Sequence, residues 1–298
     1  LVENDEVYTA VEMTVTILSL RAGRFAVDLA PSAGGSIIRF MRDGVDLLRP
    51  ADAAAIASGT GSNSSAYPLV PFSNRIANGH LAFDGREVHL EANWPGVRHP
   101  MHGDGWSHTW EVVRSDVQSA EIAYAHDGRT GWPFRYRARQ IYRLDESGLT
   151  VTMAIDNLES FAVPAGLGLH PFFVRDDDSQ LRCRTQAVWR ADAEGLPIER
   201  IAVPREWNFS TPRPVAGVVL DNCFDGWDGQ ATIIWPRRRL CVELTASEPF
   251  RHVVIYAPAD QAYFCVEPVS HANGQIARTR LAANSALEGE IVFRPFTL

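Results

Sequence analysis

Leu81-Ala82-Phe83-Asp84-Gly85-Arg86-Glu87-Val88 reads as two short alternating segments joined by Asp-Gly, the dipeptide that supplies the positive φ angles of a tight hairpin turn. Outward from it the same pattern repeats. Alternating or short apolar runs at Thr14–Leu20, Phe25–Leu29, Trp110–Val113, Glu121–Tyr124, Tyr136–Leu144, Leu149–Ile155, Leu240–Leu244, Val253–Tyr256 and Ile291–Phe293 are separated by Gly, Asp, Asn and Pro, and predict strands. One short helix is expected near Ala51–Ala57, and the Gly/Ser/Asn cluster Gly59–Ser65 reads as an exposed loop. No composition shift or internal repeat divides the chain. The expectation is therefore an all-β fold, a large antiparallel β-sandwich forming a single domain over residues 1–298. A ligand would sit on a concave sheet face with loops at its rim.

Composition narrows the function. With 298 residues and 46% hydrophobic content, the chain can bury a large core. The apolar segment from Met13 to Leu20 is about one strand long, is broken by threonines and follows acidic residues, so it reads as neither signal peptide nor membrane span. Cys183, Cys223, Cys241 and Cys265 show no CxxC pair and no metal-ligand spacing, which predicts reduced, buried thiols and a cytoplasmic location. A net charge of −8 argues against nucleic-acid binding, whose affinity comes mostly from phosphate neutralisation. Lysine is absent from the sequence, which removes Schiff-base catalysis and the phosphate-binding lysine of a P-loop. In His99-Pro100-Met101-His102 two imidazoles lie three residues apart, yet no third ligand has site-like spacing, so no metal is expected.

Two polar residues sit where they are costly. Glu267 ends the apolar run Tyr263-Phe264-Cys265-Val266-Glu267-Pro268, and His170 lies within Leu167-Gly168-Leu169-His170-Pro171-Phe172-Phe173. A carboxylate inside apolar sequence must be paired, hydrogen-bonded or neutralised, and clefts use that cost to tune a general base. The proline after His170 disfavours helical geometry there and removes one ladder donor. A Glu and a His held this way form a candidate base and acid pair.

Five fragments resemble one family in order along the chain. Asn74-Arg75-Ile76, His102-Gly103, His170-Pro171-Phe172-Phe173, Leu220-Asp221 and Val266-Glu267-Pro268 are similar to the motifs of aldose 1-epimerases, the galactose mutarotase family. Each fragment alone is short, whereas five in the same order reinforce one another. The resemblance implies a large antiparallel β-sandwich of galactose mutarotase-like type, with Glu267 as general base and His170 as general acid. It implies that Arg75, His102 and Asp221 contact the sugar, with Asn74 beside them, and that the partner is a small-molecule sugar. No cofactor, metal, nucleic acid or membrane is implied.

Opening a hemiacetal requires taking the proton from the anomeric hydroxyl while delivering one to the ring oxygen, so two groups of opposite protonation state are needed. Glu267, ordinarily near about 4.3, would begin as carboxylate, and His170, ordinarily near about 6.5, would be held protonated by a nearby anion. Arg75 and His102 would stabilise charge on the sugar oxygens, and Asp221 would accept from its hydroxyls. Trp94, Trp106 and Phe173 are candidates for contact with the C–H face of the ring, although aromatics in β proteins more often fill the core. Taken singly, Glu267 also reads as an ion-pair partner, His170 as a core histidine, Arg75 as a salt bridge, and His102 and Asp221 as turn residues. The other seven histidines read as structural. A hexose-phosphate 1-epimerase, a glycoside hydrolase using Asp221 and Glu267, and a non-catalytic carbohydrate-binding protein remain as alternatives.

Overall fold

The computed structural model describes residues 15–298 and shows 22 strands and one α-helix, Ala53–Ala57, among them. An eleven-stranded antiparallel sheet packs against a nine-stranded one, and the Asp84-Gly85 hairpin stands apart as a two-stranded sheet of His80–Phe83 and Arg86–His89. The helix begins where Asp52 accepts from the Ala55 amide, an N-cap of the usual kind. Thr14 of the expected first strand, and Met13 before it, lie outside the described residues, and the observed strand runs Leu18–Ala22. The four cysteines are free and buried.

Long alternating runs form the outer sheet. Tyr136–Asp145 and Gly148–Asn157 pair in register along their whole length, with Ala138, Tyr142, Val151, Met153 and Ile155 buried in the main core. The larger sheet is different. Its centre runs in the order Ala66–Leu69, Gly168–Val174, Tyr263–Val269, His252–Ala257, Leu220–Asp225. Gly168–Val174 and Tyr263–Val269 are covered on both faces, so their sequences are nearly continuous apolar runs rather than alternations. Leu169, Phe173, Phe264, Val266, Val253 and Ile255 point into the sandwich core. Tyr67, Phe172, Cys265, Val254 and Cys223 point the other way, into a second cluster beneath the loops.

The Gly59–Ser65 segment departs from expectation. Ser64 and Ser65 are buried because their hydroxyls donate to the carbonyls of Gly61 and Arg49, and the Ser65 amide joins the sheet by donating to Ile37. The segment is an ordered wall, with Ser62 and Asn63 facing the cleft described next.

Candidate active site

Strand register assembles the centre of the site. Pairing of Gly168 with Val269 and of Phe172 with Cys265 sets His170 against Glu267, and His170 also pairs with Tyr67 on its other side. Val254 and Cys223 continue that row past Glu267. A neighbouring row runs Phe172, Cys265, Tyr256, Asp221. Tyr67, His170 and Glu267 are each followed by a proline, which restricts the preceding residue to extended geometry and stiffens this row. Above the two rows lies a cleft of about 290 Å³ whose walls include Arg75, His102, His170, Asp221 and Glu267.

His170 Nε2 lies 3.2 Å from Glu267 Oε1, and the Glu267 side chain is 2% exposed. The imidazole packs against both Tyr67, at a centroid distance of 4.7 Å, and Phe172, at 4.5 Å. Its Nδ1 is buried without a hydrogen-bond partner among the described residues, which leaves Nε2 as the nitrogen facing Glu267. Burial lowers the His170 pKa to about 3, with the Arg49 cation adding to the effect. Burial, with help from Asp221, pushes the Glu267 carboxyl well above the usual carboxylate range, against the pull of Arg75. Burial therefore works against the expected arrangement of Glu267 as carboxylate beside protonated His170. Desolvation favours the neutral forms, leaving the exchangeable proton on the carboxyl.

The loops supply the rest. Asn74 and His102 both adopt positive φ, 57° and 65°. They clasp each other, the Asn74 amide donating to His102 Nδ1 at 3.1 Å and the His102 amide to the Asn74 carbonyl at 2.9 Å. Two non-glycine residues in this region signal a conformation imposed by the surroundings. Because Nδ1 accepts, neutral His102 carries its proton on Nε2, ready to donate to a ligand oxygen. Burial and the neighbouring His170 and Arg75 keep its pKa well below the ordinary value. Gly103 is required at the next position, because a Cβ there would meet the Val70 carbonyl oxygen at 2.1 Å and its φ is +68°. Asp104 then anchors the loop from beneath, accepting from Tyr124, Tyr136 and His126.

Arg75 is held by Asn74 Oδ1 at 3.3 Å and lies 3.9 Å from Asp221 Oδ2, too far for a direct hydrogen bond. Asp221 thus keeps acceptor capacity, with its side chain 43% exposed to the cleft. The surrounding walls nonetheless raise its pKa, and Arg75 opposes that rise. Asn74, Arg75, His102, His170, Asp221 and Glu267 all line one cleft.

The aromatic expectations divide. Trp94 lines the cleft, and Trp106 supports it from behind at a centroid distance of 4.6 Å. Phe173 does not reach the site: it is 0% exposed on the opposite face, packed on Phe264 and Phe293 in the sandwich core. The neighbouring Phe172 takes the cleft position, since successive strand residues face opposite ways. Sequence reading missed Tyr67 and Arg49, both in the cleft wall. The shared X-Pro signature of Tyr67, His170 and Glu267 was a signal for the first.

Donor atoms of His170, Cys265 and Glu267 lie within 4.8 Å of one another. Burial raises the Cys265 thiol well above its ordinary pKa, which opposes the thiolate that a metal would require. His99 and His102 are each committed at Nδ1 to a backbone amide, and His99 Nε2 faces Glu194 at 2.9 Å.

A family profile described as aldose 1-epimerase matches residues 16–291. The chain belongs to the aldose 1-epimerase family. It is 34% identical over 266 residues to the uncharacterized YphB protein of Escherichia coli K12, covering 87% of this chain and 89% of YphB. A candidate aldose 1-epimerase from Escherichia coli K12 superposes with a TM-score of 0.89 at 30% identity, covering 96% of this chain and 100% of that one. A galactose mutarotase-like protein from Clostridium acetobutylicum has a TM-score of 0.82 at 18% identity, covering 95% and 99% of the two chains, and shares the fold. Family and fold together support an epimerase acting on carbohydrates.

Proposed function

We propose that this aldose 1-epimerase family member is a mutarotase, interconverting α and β anomers of a free aldose by acid–base ring opening and reclosure. The observation that carries the reading is the buried His170–Glu267 contact of 3.2 Å at a cleft also lined by Arg75, His102 and Asp221. A cleft of about 290 Å³ is at the small end for ligand sites, which suits a single sugar ring.

In this mechanism the pair works with one exchangeable proton. Sugar hydroxyls donating to the Glu267 carboxyl stabilise its charge and favour transfer of the proton to His170 Nε2. Glu267 then removes the proton of the anomeric hydroxyl while His170 protonates the ring oxygen, the C1–ring-oxygen bond breaks, and a C1 aldehyde forms. Rotation about C1–C2 presents the other carbonyl face. On reclosure His170 takes the proton of the attacking C5 hydroxyl and Glu267 returns its proton to the carbonyl oxygen, restoring the starting state. Arg75 and the His102 Nε2–H donate to sugar oxygens, and Asp221 accepts from a hydroxyl.

Polarimetry on freshly dissolved galactose, glucose, arabinose and xylose tests the proposal. At least one sugar should reach anomeric equilibrium faster with protein, without added metal or nucleotide. Unchanged rates across the panel would refute it.

A further inference from the structure

The cationic groups of the cleft outnumber their partners. Asp221 faces Arg75 and Glu267 faces His170, whereas Arg49 has no carboxylate within ion-pair distance among the described residues. Its guanidinium lies 3.9 Å over the Phe172 ring and 4.5 Å from that of Tyr263, and its Nη2 donates to the Ser64 carbonyl at 2.7 Å. These contacts fix the plane of the fork without neutralising its charge. Arg49 lines the cleft, with Ser62 and Asn63 beside it on the same wall. Counting Arg49 and Arg75 against Asp221, with the His170–Glu267 pair neutral overall in either proton arrangement, the cleft carries one uncompensated positive charge.

The position of that charge is informative. Arg49 and His170 both pack on the Phe172 ring, and the Arg49 amide donates to the Phe172 carbonyl, so Arg49 stands on the His170 side of the proposed acid–base pair. Arg75 and Asp221 lie on the other side, two strands beyond the one carrying Glu267 in the case of Asp221. A ring whose anomeric hydroxyl faces Glu267 and whose ring oxygen faces His170 directs its C5 substituent past His170 toward Phe172 and Arg49. We propose that Arg49, with Ser62 and Asn63, forms an anion subsite for a carboxylate at C6, which makes hexuronic acids the preferred substrate class. A carboxylate matches the guanidinium fork in plane and in charge. A phosphate monoester, at roughly −1.5 to −2, overcompensates the single free cation. The inference rests on the mutarotase reading for the direction in which the sugar lies.

Two measurements separate it from that reading. Calorimetric titration with methyl β-D-glucuronide and methyl β-D-glucoside, neither of which can open, reports binding without turnover. The glucuronide should bind about 10–100-fold tighter, the usual worth of a charge-assisted hydrogen bond, and Arg49→Met should bring the ratio close to one. Anomeric exchange followed by NMR should show the same preference in kcat/KM for glucuronate over glucose and for galacturonate over galactose, narrowing with added salt. Equal binding of the two glycosides, or an unchanged ratio in Arg49→Met, overturns the subsite. A preference for glucose 6-phosphate over glucuronate overturns the carboxylate assignment in favour of phosphate. If no aldose is turned over but the glucuronide still binds in an Arg49-dependent way, the mutarotase reading fails and the anion subsite stands.

Discussion

Replacing Glu267 by Gln keeps the shape of the side chain and a donor toward His170 Nε2 while removing the one carboxyl, among the described residues, in contact with that nitrogen. No neighbour can take over. Asp221 is two strands away from Tyr263–Val269, which places the backbones roughly 10 Å apart at ordinary strand spacing, and it sits in the other register row. The loss should therefore be the full general-base contribution, about 10²–10⁴-fold in turnover, or about 2.7–5.4 kcal/mol of barrier at about 1.36 kcal/mol per decade. Stability should hardly change, because burial drives Glu267 toward its neutral form and Gln is neutral as well. Polarimetry at saturating sugar, with a thermal melt as a folding control, measures both quantities. Adding His170→Asn should cost much less than the product of the single losses, since both groups serve one proton cycle. A folded, sugar-binding Glu267→Gln protein with near-wild-type exchange would refute the mechanism.

Two further outcomes follow from the same geometry. Activity requires the pair to hold one exchangeable proton, so it is lost as pH falls through the second protonation, which burial of His170 sets at about 3, and as pH rises past the elevated Glu267 value. A pH–rate profile that instead falls through the ordinary carboxylate range would contradict a desolvated pair. Gly103→Ala should destabilise the fold by about 2 kcal/mol or more, from left-handed strain plus the Val70 carbonyl clash, and should raise KM by displacing His102. A thermal melt and sugar KM together check it, and an unaltered protein would show that the loop relaxes freely.

The outer sheet was legible because it alternates. Tyr136–Asp145 and Gly148–Asn157 have one face in the core and the other partly open, which is the condition under which period-two patterning appears. The central strands of the larger sheet were harder to delimit, since both of their faces are covered and the periodicity is lost. Ala66–Leu69 and Leu220–Asp225 were not read as strands at all: one carries a proline, the other two aspartates and an asparagine, of which Asp221 lines the cleft. Phe173 and Phe172 show how sharp the limit is. An error of one residue along a strand moves a side chain from the sugar cleft to the sandwich core.

Glu267 and His170 were visible because a polar residue within an apolar run is costly on sequence grounds alone. Their protonation was not visible, because it depends on a desolvation that only the packed site creates. The same lone Glu and His in water would be a carboxylate and a partly charged imidazole. With His170 packed on Tyr67 and Phe172 and both groups buried, desolvation lowers the His170 pKa and raises that of Glu267, favouring their neutral forms. Arg49 was hidden for the converse reason. Among 28 arginines with no lysine for contrast, a single cation is unremarkable in sequence. It becomes distinctive only when the fold places it at the cleft without a carboxylate partner among the described residues. The proposed acid–base chemistry is thus written in residue type against local background, whereas the proposed substrate choice is written in the charge balance of the assembled cleft. That balance makes the C6 group of the sugar the variable to change first when its substrate is sought.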